Sequence, residues 1–199
     1  EISSSTLVFK LSPKVNAAGR MKHASLALEL LMCNKLEDTI NLSEKLRLIN
    51  TKRREEDEKT TEEALIQIKD KKEELFSSTL VYHDNWHPGI IGIVASRLIE
   101  KYYRPTIVLT KRKQYYIGSA RSIKGFDIYK ALKKCSNFLE QFGGHKYAAG
   151  LKIHESKLKS FRSEFEKFSK KNLSENQKVK TCIYDLEISL SDLNFKFLK

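Results

Sequence analysis

The sequence predicts a mixed α/β chain whose two parts are joined by a long helix, and three patterns predict it. From Leu36 to Phe76 there is neither Pro nor Gly, and helix-favouring residues dominate. From Leu80 onward, short β-branched and aromatic runs alternate with amphipathic stretches, the signature of an α/β domain. Near the end, Leu158, Phe161, Phe165 and Phe168 recur on one helical face.

The elements follow in order. Thr6-Leu7-Val8-Phe9 reads as a short strand or core segment. Ser25 fits as the N-cap of a helix carrying Leu26, Leu28, Leu30 and Leu31. In the long run, apolar residues fall at Leu42, Leu46 and Ile49, then at Ala64, Leu65 and Ile68. Between them Lys52 to Lys59 is polar all round, which predicts a helix buried at both ends and solvated in its middle. A short loop between Thr51 and Thr60 is the other reading. Thr79-Leu80-Val81-Tyr82 predicts a strand with a turn at Asp84-Asn85, and Ile90 to Glu100 a helix with Gly89, Gly92, Ala95 and Ser96 as its small face. Strands are predicted at Pro105 to Leu109, Tyr115 to Ser119 and Leu151 to Ile153, with a helix from Phe126 to Glu140. Lys157 to Lys171 predicts a further helix, and Lys178 to Leu190 a lone strand. No internal repeat is present.

The chain has 199 residues, and 40% hydrophobic content suffices for a core. Its net charge of +12 points to a polyanionic partner. The surplus is uneven: residues 1–79 are neutral, 80–155 carry +8 and 156–199 carry +4. Cys33, Cys135 and Cys182 form no CxxC pair, which argues for a reducing compartment, here the cytoplasm, and against a zinc ribbon. No apolar run is long enough for a membrane span, and no signal peptide opens the chain, so no membrane partner is expected.

Chemistry concentrates in two blocks. Gly118-Ser119-Ala120-Arg121-Ser122 brings a guanidinium and two hydroxyls to a glycine, with Lys124 close behind. Gly143-Gly144-His145-Lys146-Tyr147-Ala148-Ala149-Gly150 reads as a glycine bend whose amides approach an anion, with an imidazole projecting from it. Arginine, hydroxyls and glycine-exposed amides together suit a phosphodiester. For Arg121 the alternative is a carboxylate partner, and for His145 a satisfied structural histidine or proton traffic. Asn85-Trp86-His87-Pro88-Gly89 leads into a helix N-terminus, which attracts anions. Trp86 could stack on a base or pack in a core, and His87 has the same two uses. His83 and His87 have a metal-pair spacing, but a strand end and turn would not align them, so no metal site is assigned. Arg20 closes Pro13-Lys14-Val15-Asn16-Ala17-Ala18-Gly19-Arg20, with Asn16 as a ligand or turn-former.

Taken together and in this order, PKVNAAGR, the bridging helix, NWHPGIIGIVASRL with YYRPTIVL, GSARS and FGGHKYAAG resemble the RecJ family of single-stranded-DNA-specific exonucleases, within the DHH phosphoesterase superfamily. The resemblance covers nearly the whole chain. It implies that residues 1–40 are the C-terminal part of a DHH catalytic domain and 41–76 a connecting helix. Residues 77–155 would be the α/β DHH-associated, substrate-binding domain, 156–177 a helix and linker, and 178–199 the first strand of an OB-like domain. It implies 5′-to-3′ hydrolysis of single-stranded DNA with Mn²⁺ or Mg²⁺, in DNA repair and recombination, by an enzyme monomeric when intact. Asn16 and Arg20 would line the cleft from the catalytic side. Ser119, Arg121, Ser122, Lys124, Gly143, Gly144 and His145 would face it from the associated domain, with His145 as a cleft-facing assistant. Members of the family usually carry Arg where this chain has Lys14, which keeps the charge and loses the planar fork.

The largest departure is the missing metal cluster. The seven Asp residues, Asp38, Asp57, Asp70, Asp84, Asp127, Asp185 and Asp192, are scattered, and none precedes a His. Two-metal hydrolysis needs carboxylates converging on ions about 3.5–4 Å apart. The expectation is therefore a fragment that grips the strand and cleaves nothing alone, the metals being held by an N-terminal region or a complementing N-terminal chain. Two rivals stay open: a DHH phosphodiesterase of short RNA or cyclic dinucleotides, and a non-catalytic single-stranded nucleic-acid-binding module. An appendage of the alanyl-tRNA synthetase kind is disfavoured because its Cys/His metal pattern is absent.

Overall fold

Helix occupies nearly all of the chain up to Asp70 in the computed structural model, which describes residues 3–195 and Phe197. A short helix α1 (Ser4–Thr6) passes through a π-helical stretch, Leu7–Leu11, into α2 (Ser12–Met21), with α3 (Ser25–Met32) following. The strand expected at Thr6 to Phe9 is therefore helical. Leu7, Val8 and Phe9 are exposed, so no sheet neighbour competes with local helical hydrogen bonds there. Ser25 is the first residue of α3 rather than its cap; Ala24 stands at the cap position without a side-chain bond.

The long helix α4 (Leu36–Asp70) is continuous, with no loop between Thr51 and Thr60, and it crosses the boundary expected at residue 40. Ala18, Ala27 and Leu46 form a small core where α2 and α3 lie on its first half. Its middle is not solvated all round. Asp57 is fully buried and its Oδ2 meets Arg97 Nη2 at 2.7 Å and Arg53 Nη1 at 3.4 Å. Arg53 also donates to Asn50 Oδ1 at 2.8 Å. One face of a run that looks polar all round is thus an internal charge cluster. Burial pushes the Asp57 carboxyl above its ordinary value, against the opposing pull of Arg97 and Arg53.

Beyond α4 a five-stranded sheet forms in the order β1-β2-β3-β5-β4. Its strands are β1 (Thr79–His83), β2 (Thr106–Arg112), β3 (Tyr115–Arg121), β4 (Leu139–His145) and β5 (Ala148–His154). Strands β1 and β2 are parallel, joined by a crossover through α5 (Ile91–Tyr102); every other pair is antiparallel. On one face, α4 and α5 bury Val81, Val108, Val94, Leu98, Ala64 and Ile68. On the other, α6 (Ile128–Lys134) and α7 (Leu158–Asn172) bury Ile107, Leu109, Phe126, Leu132, Ile153, Phe161 and Phe165. Fully burying each such side chain contributes about 1.5–3 kcal/mol.

The helix expected from Phe126 to Glu140 is shorter, and its last two residues belong to strand β4. Helix α6 ends at Lys134, and a 3₁₀ turn, Ser136–Phe138, leads into the strand. Phe138, Leu139 and Phe142 have a helix-compatible spacing, but pairing with β5 decides the outcome. The glycine bend expected at Gly143-Gly144 is likewise part of β4.

The exposed edge of β1 is closed by side chains. Gln67 accepts from Tyr82 N and donates to Tyr82 O, both at 3.0 Å. Glu73 accepts from Leu80 N at 3.3 Å, and Glu166 from Ser77 N at 2.7 Å, Ser78 N at 3.0 Å and the Ser78 hydroxyl. These bonds remove the donors that would otherwise recruit another strand. The strand expected at Lys178 to Leu190 is not formed: residues 178–195 are exposed irregular chain with a 3₁₀ turn at Leu190–Asp192. A single strand with no ladder partner leaves its backbone groups to water. Of the 178–199 segment expected to open an OB-like domain, Lys196, Leu198 and Lys199 lie outside the described residues, as do the opening Glu1 and Ile2.

Replacing Asp57 by Ala should lower stability by about 1–3 kcal/mol, because two guanidiniums lose their carboxylate. The loss stays below the ~3–5 kcal/mol of a fully enclosed pair, since Arg97 reaches water. Urea unfolding checks this; an unchanged midpoint would show that the cluster holds nothing.

Candidate nucleic-acid interface

The end of α2 is locked against the loop that precedes α5. Arg20 Nη1 donates to Gly89 O at 3.2 Å, and a Cβ on Gly89 would stand 2.0 Å from the Arg20 carbonyl oxygen. Only glycine allows that approach. The same fit recurs one turn on: a Cβ on Gly92 would lie 2.8 Å from Arg121 Nη2 and 3.0 Å from Ser119 Oγ. The first turn of α5 thus rests on two of the side chains that β3 sends to this face, while α2 brings Arg20 from the other side.

The result is a cavity of about 330 Å³ lined by Gly19, Arg20, Gly89, Gly92, Ser119 and Arg121, among others. Arg121 Nη1 donates to Ser119 Oγ at 2.8 Å and to Ala120 O at 2.9 Å. Among the described residues, neither Arg121 nor Arg20 has a carboxylate partner. Burial lowers the pKa of Arg121 and the neighbouring Arg20 charge lowers it further, so a half-buried guanidinium faces an exposed one of like charge. Ile90 offers no capping side chain, so the positive end of α5 adds to the same field. Such a field suits an anion with several oxygens.

His145 shares this sheet face. Arg121 pairs with Ala148, and Ala148 with His145, so the three stand in one row across β3, β5 and β4. Partners in antiparallel register point the same way, which puts Arg121 and His145 about 10 Å apart, two strand spacings. The His145 hairpin is tied to the loop after Arg121: Ser122 N donates to Tyr147 O at 3.0 Å and Ile128 N to Lys146 O at 3.1 Å. His145 Nδ1 accepts from Tyr147 N at 3.3 Å, which leaves Nε2–H as a donor toward solvent. Among the described residues no helix covers β4 and β5 on this side, and Gly143, Gly150 and His145 are exposed.

Of the residues expected at the site, the structure brings together Arg20, Ser119 and Arg121, with His145 and Gly143 on the same face. Asn16 lies one helical turn before Arg20 and is exposed. The others have different surroundings. Ser122 donates its hydroxyl to Phe126 O at 2.8 Å and holds a turn. Lys124 is exposed in that turn, past the end of β3. Gly144 has a φ of +146°, and a Cβ there would meet Ala148 O at 2.3 Å, so it serves the backbone. Trp86 is core, 4% exposed, with its indole N–H bonded to Glu63 at 2.7 Å, and presents no stacking face to the cleft. His87 accepts from Gly89 N at 3.1 Å and lines a separate cavity beside Met21 and Lys22. Sequence reading missed Gly92 as a contact of Arg121; a glycine one residue inside a helix start was the available signal. It also missed Lys152 and Gln141 on the open face, which nothing local marks.

Among the described residues no three His, Cys, Asp or Glu side chains converge to hold a metal ion. The buried carboxylates are committed elsewhere, Asp57 to arginines and Glu73 to Arg162 at 2.5 Å, so this donor set does not fit a divalent metal. No helix among the described residues is long and apolar enough to cross a membrane.

The DHHA1 domain profile matches residues 73–171. RecJ, the single-stranded-DNA-specific exonuclease of Bacillus subtilis, is 32% identical over 97% of this chain and 25% of its own length. The Escherichia coli enzyme of that name is 34% identical over 83% of this chain and 30% of its own. The chain therefore spans about a quarter to a third of these relatives. Among solved structures, RecJ with Mn²⁺ from Thermus thermophilus superposes with a TM-score of 0.76 and 28% identity, covering 83% of this chain and 24% of that one. Exonuclease RecJ bound to manganese superposes with a TM-score of 0.78 and 26% identity, covering 89% and 44%. Residues 73–171 are thus a DHHA1 domain, and the chain that carries them is a member of the RecJ family.

Proposed function

We propose that this chain forms the strand-gripping wall of a RecJ-type exonuclease that degrades single-stranded DNA from the 5′ end. The observation that carries the reading is the convergence of Arg20, Arg121 and the α5 N-terminus without a counter-charge. A phosphate of the strand supplies the missing charge. Arg121 and Arg20 hold its oxygens, the Ser119 hydroxyl donates beside them, and glycines let the backbone come close. The open sheet face runs on from that point, and His145 Nε2–H is placed to donate to the next part of the strand.

Held this way, the strand is fixed before any reaction, and the guanidiniums offset charge that builds on the phosphate in the transition state. Mn²⁺ or Mg²⁺, with which RecJ structures have been determined, would supply an activated water. The described residues do not form a site for that ion, and on this reading the chain by itself binds single-stranded DNA without cutting it. In the intact enzyme it acts as one wall of a cleft whose other wall brings the metals.

Two outcomes check this. Arg121→Ala should weaken binding of a 5′-phosphorylated single strand by about 10–100-fold, the worth of one or two charge-assisted hydrogen bonds. The slope of log affinity against log salt should fall by about one. Fluorescence anisotropy in a salt series reads both, and wild-type affinity in this variant would refute the assignment. Gly89→Ala should separate α2 from α5, because its methyl cannot share space with the Arg20 carbonyl. It is expected to lower affinity as far as Arg121→Ala does, while the DHHA1 core keeps its circular dichroism. Unchanged affinity would mean that Arg20 plays no part.

A further inference from the structure

The glycines of this sheet fall into two kinds. Gly118 is fixed by packing, since a Cβ there would press to 2.3 Å from the Leu109 side chain and 2.9 Å from that of Leu151. Gly144 is fixed by its backbone. Gly143 and Gly150 are fixed by neither. A Cβ on Gly143 meets nothing within 4 Å, and one on Gly150 meets only Gly118 O, at 3.9 Å. Neither has a positive φ. Glycine inside a strand weakens it, and where the fold does not ask for it, it marks a close approach by something else.

The two glycines are direct partners across β4 and β5, and Gly150 pairs in turn with Ser119. They form a strip without side chains, two strands wide, that begins beside the hydroxyl next to Arg121. A cavity of about 370 Å³ lies over it, walled by Ile117, Gln141 and Lys152. It shares Ile117 and Gly118 with the cavity that holds Arg20 and Arg121, so the two adjoin. Strand β3 carries Tyr115 at the far end of this face, with Lys152 Nζ 4.2 Å from its ring centre. The face offers cations, amides and flat peptide planes, and none of the side chains that β3 and β5 send to it is a carboxylate.

We propose that the Gly143–Gly150 strip is a nucleoside subsite, where the base and sugar attached to the phosphate on Arg121 lie flat against the sheet. This rests on the phosphate role proposed for Arg121. The volume sits at the small end of ligand pockets, about 300–1,000 Å³, and suits one nucleoside. Two strand residues separate Arg121 from Ser119, the row of the strip, a step of about 7 Å. Gln141 lies at the margin where a base edge would reach its amide, and Lys152 where the next phosphate would pass. The missing side chains are what make the subsite: any Cβ branch at either position would occupy the floor.

The test uses the 199-residue chain and two 5′-phosphorylated probes of equal length, an oligothymidylate and an abasic strand. The wild-type protein should prefer the thymidylate by about tenfold, the scale of one stacked base. Gly150→Val should keep or raise the melting temperature, because a β-branched residue suits a half-exposed strand. It should weaken the thymidylate about tenfold more than the abasic strand and so lose the preference for thymidylate. Gly143→Val, from the neighbouring strand, should do the same. Arg121→Ala should weaken both probes alike. A wild-type preference retained in both valine variants would overturn the subsite and leave the phosphate reading standing, provided Arg121→Ala still binds poorly. A lowered melting temperature with loss of both probes in both variants would make these glycines structural and overturn it too. Full binding by Arg121→Ala would remove the phosphate reading, and the subsite with it.

Discussion

The contact between Gly89 and the Arg20 carbonyl is the constraint on which the rest of the site depends. It is a backbone-to-backbone approach that no side chain at position 89 would permit, and it fixes where α2 ends relative to α5. Through it, a helix outside the DHHA1 domain delivers a guanidinium to a sheet that already holds another. Arg121 is placed by β3 and by the space that Gly92 leaves. Like charges brought together in this way are unfavourable until an anion arrives, so the arrangement makes sense as a binding site and poorly as a structural device.

The handling of charge elsewhere supports that view. Where arginines serve the fold, the chain supplies carboxylates: Asp57 for Arg53 and Arg97, Glu73 for Arg162. Arg104, buried near the start of β1, is bonded to Thr79 Oγ1 at 2.7 Å and to the carbonyls of Glu74 and Phe76, and the charges of Glu73 and Glu166 oppose the burial that lowers its pKa. Arg20 and Arg121 are treated differently. The sheet shows a parallel division. Its β1 edge is sealed by Gln67, Glu73 and Glu166, whereas the face of β5 and β4 opposite α6 is left bare and basic. The protein seals the β1 edge against a further strand and leaves open the face where a single polynucleotide chain could lie.

Much of this was legible in the sequence, for physical reasons that differ by element. Strands β1, β2 and β3 and helices α5 and α7 declare themselves because their apolar periods are set by burial against one another. The motif glycines and Arg121 pointed to phosphate because few other chemistries need that combination. What failed was what depends on tertiary partners. Leu7 to Phe9 look like a strand and wind into helix; Leu139 to His145 look like a helix end and a bend and pair with β5. Residues 178–195 alternate like a strand and find no neighbour. The polar middle of α4 hides a buried Asp57 because its arginine partner Arg97 lies forty positions away. Trp86 was ambiguous in sequence since core and stacking use the same ring; Glu63 and the α4 face decide for core.

The central claim is that Arg20 and Arg121 act on one and the same phosphate. A double-mutant cycle on the affinity for a 5′-phosphorylated single strand, with Arg20→Gln, Arg121→Gln and the pair, measures this most directly. One shared anion predicts a coupling of about 0.5–3 kcal/mol, so that the second substitution costs much less once the first is made. Losses that simply add would put the two guanidiniums on separate anions and contradict the account.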